Sequence, residues 1–197
     1  LNVSGIKSPR GDIENYVAIF SDISRLKHHE RELHQLATHD ALTGLPNRHY
    51  LHARISEHLK NHVRGAQKVA FLYLDLDHFK DINDKHGHDV GDAYLVEIAN
   101  RLGSYVCEPN TVARVGGDEF VIIMPRTNLD EAKSVCQRII TTFEQETEHD
   151  VTISIGIVST GPDEHMDIDS LIQTADKQMY KAKEKAHEDG ASHICTV

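Results

Sequence analysis

The stretch Arg114-Val115-Gly116-Gly117-Asp118-Glu119-Phe120 joins two β-favouring runs, one ending at Val115 and one running from Phe120 to Met124. Paired glycines between such runs predict a tight hairpin, because glycine supplies the positive φ of a primed two-residue turn. The turn then delivers Asp118 and Glu119 to the mouth of a sheet. Neighbouring carboxylates repel one another there and cost stability unless a cation offsets them. Taken alone, the stretch reads as a solvated acidic tip.

A second acidic cluster lies upstream. Val69-Ala70-Phe71-Leu72-Tyr73-Leu74 is the most apolar strand candidate, and it runs into Asp75-Leu76-Asp77-His78-Phe79-Lys80 and on through Asn83, His86-Gly87-His88 and Gly91-Asp92. Further motifs are Asp40-Ala41-Leu42-Thr43-Gly44-Leu45-Pro46-Asn47-Arg48, Val151-Thr152-Ile153-Ser154-Ile155-Gly156, Ala175-Asp176 and Tyr180-Lys181-Ala182-Lys183. In this order they resemble the GGDEF family of diguanylate cyclases, from roughly Asp40 to Lys183.

The remaining pattern supplies the elements. Asn47 caps a helix whose inner face is Leu51, Ile55 and Leu59. Leu95, Ile98, Ala99 and Leu102 mark a helix from Gly91 to Val106. Others are predicted from Leu129 to Glu146 and from Asp169 to Ala186, with a strand from Val151 to Val158 and an edge strand within Ser192 to Val197. Strand, helix, two strands, helix and strand in that order predict an α+β fold with a ferredoxin-like antiparallel sheet and extra elements. The resemblance implies the same palm-type architecture.

Residues 1–24 read as strands with a turn signal at Pro9-Arg10-Gly11-Asp12, and they resemble the last hairpin of a PAS sensor domain; the alternative is an unstructured leader. Residues 25–39 read as a linker helix capped by Asp22 or Ser24. Ile23, Leu26, Leu33 and Leu36 form a stripe narrow enough for a helix pair between subunits. Residues 40–197 are then the GGDEF domain. The chain opens in mid-pattern, so a longer protein with a sensor and a possible membrane anchor is expected. No apolar run reaches the ~20 residues of a membrane span, and a cytoplasmic domain is expected.

A net charge of −10 argues against a general nucleic-acid partner. The three cysteines, Cys107, Cys136 and Cys195, lack metal spacing. Fifteen histidines are many, but the pairs His58/His62, His86/His88 and His28/His29 bring no third ligand at a recognisable spacing.

The resemblance implies condensation of two GTP molecules to cyclic di-GMP with release of pyrophosphate. Two Mg²⁺ (or Mn²⁺) ions about 3.5–4 Å apart would serve the in-line displacement, held by Asp75, Asp118 and the carbonyl of Leu76. Glu119 is implied at the metal site or in handling the 3′-hydroxyl proton. Lys80 and Lys183 are implied at the phosphates, although each is also readable as an ordinary solvated lysine. Asn83 and Asp92 are implied to accept from guanine N1 and its amine, the alternatives being a turn residue and a helix cap. Phe79, His88, Gly116 and Gly117 complete the implied nucleotide site, with Phe79 packed beneath it. Each site holds one GTP, so a two-fold homodimer is implied.

Two positions depart from the family pattern. Cys107-Glu108-Pro109-Asn110 stands where many members carry an inhibitory Arg-x-x-Asp, and His187 replaces a phosphate-contacting arginine. The second reading is therefore a regulatory GTP-binding module that tunes an adjacent cyclic di-GMP phosphodiesterase domain.

Overall fold

The structure is a computed structural model, and it describes all residues except 1, 8–9, 11–12, 20–21, 66–67, 147–150 and 162–165. Elements run β1 (Asn2–Lys7), β2 (Ile13–Ile19), α1 (Ser24–Thr38), α2 (Arg48–Gly65), β3 (Val69–Leu76), α3 (Phe79–His86), α4 (His88–Tyr105), β4 (Thr111–Arg114), β5 (Glu119–Pro125), α5 (Leu129–Glu146), β6 (Ile153–Thr160), α6 (Ile168–Asp189) and β7 (His193–Thr196). They fall into two units, residues 1–37 and 38–197.

In the first unit β1 and β2 pair antiparallel, with Ser4 opposite Val17. Pro9, Gly11 and Asp12 of the expected turn lie outside the described residues. Asp22 is the side chain that caps α1: its Oδ1 accepts the Ser24 N–H at 2.9 Å. The apolar stripe of α1 faces solvent, with Leu26, Leu33 and Leu36 67–69% exposed.

The second unit is built on a five-stranded sheet in the order β4-β5-β3-β6-β7. The four strands of the expected antiparallel core pair as the ferredoxin-like pattern requires. The sheet as a whole is mixed, because β7 adds parallel to β6. A crossover through α6 returns the chain in its original direction, and that gives a parallel neighbour.

Strand β3 is central and nearly all buried because helices cover both of its faces. Side chains alternate between faces along a strand. Ala70, Leu72, Leu74 and Leu76 therefore pack with Leu95, Ile98 and Leu102 of α4 and Ile139 and Phe143 of α5. Val69 and Phe71 pack on the other face with Leu51 and Ile55 of α2 and Leu171 and Ala175 of α6. Asp75 continues this second face, which directs it toward α6.

Close packing of α6 on the sheet depends on Gly156 in β6. A Cβ there would lie 2.1 Å from the Ala175 carbonyl oxygen and 2.3 Å from the Met179 nitrogen, both helix backbone atoms. Only glycine lets the helix approach this near.

Two local expectations are corrected. The signature turn is not a primed two-residue hairpin, because neither Gly116 nor Gly117 has positive φ. The strands end at Arg114 and begin again at Glu119, leaving a four-residue connection closed by the Val115 N–H donating to the Glu119 carbonyl at 3.0 Å. Gly116 is needed for space instead. The second correction concerns 79–92. This run forms α3, then a break at Gly87 (φ 89°), then α4 from His88, three residues earlier than expected. Asn83 is thus a helical residue and Asp92 lies inside α4 rather than capping it.

Candidate active site

Ladder pairing brings the two acidic clusters together. Asp75 at the end of β3 stands directly opposite Glu119 at the start of β5, and the Leu76 N–H donates to the Asp118 carbonyl at 3.3 Å. Like charges opposite one another on a ladder are destabilising. The pairing is held by the surrounding apolar ladder, Leu74–Phe120 and Leu72–Ile122. The Leu76 side chain is buried, so its backbone carbonyl is the group available to the site.

The electrostatics follow from burial. Asp75 is only 5% exposed. Its carboxyl is pushed above the ordinary range by desolvation and by Asp77 and Asp176, which outweigh the lowering effect of Lys183. Asp118 is raised by desolvation and then by Asp75. Glu119 is raised by desolvation and by Asp75, Asp118 and Asp176, although the Tyr73 hydroxyl, hydrogen-bonded to it, pulls the other way. Lys183 Nζ lies 2.6 Å from Asp75 Oδ1. Burial disfavours its charge, but the carboxylate wins and its net shift is upward. Three carboxylates thus face one ammonium, an excess of negative charge in a partly dry site.

Glu119 is positioned by a missing side chain. A Cβ on Gly116 would lie 2.2 Å from Glu119 Oε2. Gly117 meets nothing and is free of that constraint. Its carbonyl accepts from Arg114 Nη2 at 2.7 Å and Nε at 3.2 Å, and Arg114 Nη1 reaches Asp40 Oδ1 at 2.8 Å. Asp40 also accepts from the Thr43 N–H and hydroxyl. The motif that begins at Asp40 therefore braces the signature turn. The net lowering of the Asp40 carboxyl reflects these donors outweighing its burial.

Helix α3 packs closely on α4 at Gly91, the residue before Asp92: a Cβ there would lie 2.0 Å from Asn83 Oδ1 and 3.2 Å from Phe79 Cζ. Phe79 is buried. His88 and Lys80 are exposed. Lys183, expected at phosphates, pairs with Asp75. Among the described residues no three His, Cys, Asp or Glu side chains are grouped so as to hold a metal ion by themselves.

Sequence reasoning missed three contributors. Tyr73 precedes Asp75 by two residues and shares its strand face, a period-two signal. Asp176 is seven residues before Lys183, two turns along the same helix face. Asp77 is fully buried and structural: it accepts from Thr152 Oγ1 at 2.8 Å and Ser154 Oγ at 2.9 Å, tying β3 to β6.

Comparison with known proteins agrees with this architecture. Residues 37–189 match the family described as "Diguanylate cyclase, GGDEF domain". The chain belongs to the GGDEF family. It is 39% identical over 158 residues to the diguanylate cyclase DgcS of Shewanella oneidensis, covering 78% of this chain and 52% of that protein. It is 37% identical over 159 residues to MucR of Pseudomonas aeruginosa, described as a bifunctional diguanylate cyclase and cyclic di-GMP phosphodiesterase, covering 79% of this chain and 23% of MucR. The chain thus spans about half of one relative and a quarter of the other. The fold also matches the coiled coil and GGDEF domain of DgcB from Caulobacter crescentus, solved with cyclic di-GMP, at a TM-score of 0.78 and 24% identity over 89% of this chain and 93% of that one. Among the described residues no helix is long and apolar enough to cross a membrane.

Proposed function

We propose that the chain is a diguanylate cyclase, joining two GTP molecules into cyclic di-GMP with release of pyrophosphate. The observation that carries this reading is the ladder pairing of Asp75 with Glu119, with Asp118 beside them and too little positive charge to balance the three. Hard oxygen donors with uncompensated negative charge suit Mg²⁺ or Mn²⁺. Asp75, Asp118 and the Leu76 carbonyl would hold the metal. When bound, the ions supply charge stabilisation at the attacking and leaving oxygens of an in-line displacement.

The chain's own groups divide the remaining tasks. Lys183 offsets part of the burial cost of the Asp75 charge and would reach an incoming phosphate. Lys80, free on the exposed face of α3, supplies a second cation for the phosphates. Glu119 serves at the metal site or takes the 3′-hydroxyl proton, and its raised carboxyl suits the second role. Asn83 and Asp92 accept from guanine N1–H and its exocyclic amine, with Phe79 and His88 completing the nucleotide site. Adenine lacks those donors and would leave both acceptors unpaired, which favours GTP.

Two half-sites must face one another, so the active species is a two-fold homodimer. The exposed leucine stripe of α1 suits the pairing seam, and the β1–β2 hairpin suits the tail of a PAS-like sensor. Similarity to MucR supports a phosphodiesterase domain as a neighbour in the whole protein.

Incubation of the purified chain with GTP and Mg²⁺, followed by chromatography for cyclic di-GMP and pyrophosphate, tests this reading. Product that disappears in Asp118→Ala is the expected result. Mg²⁺-dependent GTP binding without product, also with α1 pairing enforced, would establish the regulatory-module reading instead.

A further inference from the structure

A pair of imidazoles lies on the rim of the acidic site and takes no part in the reaction proposed above. His78 follows β3 and has φ 61°; His187 lies on α6, one helical turn beyond Lys183. Their ring centroids are 5.2 Å apart with planes tilted by 36°.

The hydrogen bonds fix the tautomers. His187 Nδ1 lies 2.9 Å from the Lys183 carbonyl oxygen. A carbonyl only accepts, so Nδ1 carries the hydrogen and Nε2 of the neutral ring keeps its lone pair. His78 Nδ1 faces Asp81 Oδ2 at 3.4 Å, which also favours the hydrogen on Nδ1. Neither Nε2 has a hydrogen-bond partner among the described residues. A ring nitrogen bound to a carbonyl or carboxylate while the other stays open is how metal-ligating histidines are oriented.

Spacing agrees with this. An ion about 2.0–2.1 Å from each nitrogen, at a tetrahedral angle, puts two imidazole centroids about 5 Å apart. By contrast His28 and His29, on consecutive helix positions that do not face one another, have centroids 6.3 Å apart. The local charge also favours a cation: Asp81 lies behind His78, while Glu184 and Glu188 share a surface depression with His187. Lys183 lines that depression too, but its ammonium is taken up by Asp75.

We propose that His78 and His187 form a two-imidazole site for a borderline divalent ion of the Zn²⁺ class, with water completing its shell. Imidazole nitrogen suits zinc, cobalt, nickel and copper, whereas Mg²⁺ takes oxygen ligands, so the two metal classes sort between rim and carboxylates. The site links the β3–α3 connection, which follows the strand carrying Asp75, to α6, which carries Lys183.

Zn²⁺ titration calorimetry on the intact chain, in excess Mg²⁺, tests the proposal without reference to turnover. His78→Ala and His187→Ala should each weaken the tightest Zn²⁺ event by at least about tenfold, while His28→Ala leaves it unchanged. Co²⁺ should give tetrahedral visible absorption in the wild type that both rim variants lose. Both positions are exposed, so melting temperatures of the variants should match the wild type. Unchanged binding in the rim variants, or loss in only one of them, overturns the shared site.

Discussion

Glu119 holds its place because Gly116 has no side chain, and this separates stability from activity. The atom that a Gly116→Ala methyl would strike is the far end of a flexible side chain, so the fold gives way at little cost. We predict a stability change within about 1 kcal/mol but at least a tenfold loss of turnover, measured by urea unfolding and product formation. Asp118 behaves oppositely: it is raised by burial and by Asp75, so its charge burdens the metal-free fold. Asp118→Asn should stabilise the metal-free chain by on the order of 1 kcal/mol while abolishing product. Asp75 and Asp118 were legible in the sequence because strand and turn chemistry deliver them to one sheet end. Tyr73 and Asp176 were not, since the first acts on Glu119 only through the β3–β5 pairing and the second only once α6 has packed on the sheet. Gly116 was singled out for the wrong reason: its demand is space for a carboxylate, which no local turn rule encodes.

At the scale of elements, α6 matters because it carries Lys183 to Asp75, and Gly156 sets how near it comes. Gly156→Ala would drive a methyl into helix backbone, where nothing flexible can yield. A cost of about 1–3 kcal/mol and a weakened Lys183–Asp75 pair are expected, read by thermal melting and by a higher Mg²⁺ requirement. The brace of Arg114 on Asp40 and Gly117 is the other long-range tie. Arg114→Ala removes two donors from the exposed Gly117 carbonyl and one from part-buried Asp40 and should cost about 1 kcal/mol in the same assay. The sheet order followed from the sequence because apolar runs and turn signals were strong. The parallel β7 did not, because four short residues carry no sign of direction; the preceding helix sets it. Helix α3 and the start of α4 at His88 went unread because Phe79 and Ile82 alone give too short an apolar period in the polar run before Gly87.

For the whole molecule, the three raised carboxylates tie stability to pH and to metal. A group with its folded pKa above the unfolded value binds more protons when folded between those two values, so its contribution to stability falls as pH rises through that window. Asp75, Asp118 and Glu119 all act in this sense. The wild type should therefore lose stability relative to Asp118→Asn as pH climbs from about 4 toward neutrality, and Mg²⁺ at neutral pH should raise the wild-type melting temperature but not that of the variant. A flat difference curve would mean that the carboxylates carry no such burden. Pairing of α1 through Leu26, Leu33 and Leu36 would then bring two such sites together. The most direct measurement is cyclic di-GMP formation per chain with that pairing enforced by a fused coiled coil ahead of α1. We predict Mg²⁺-dependent product that is lost in Asp75→Asn; an enforced dimer that binds GTP and Mg²⁺ yet forms no product would contradict the cyclase reading.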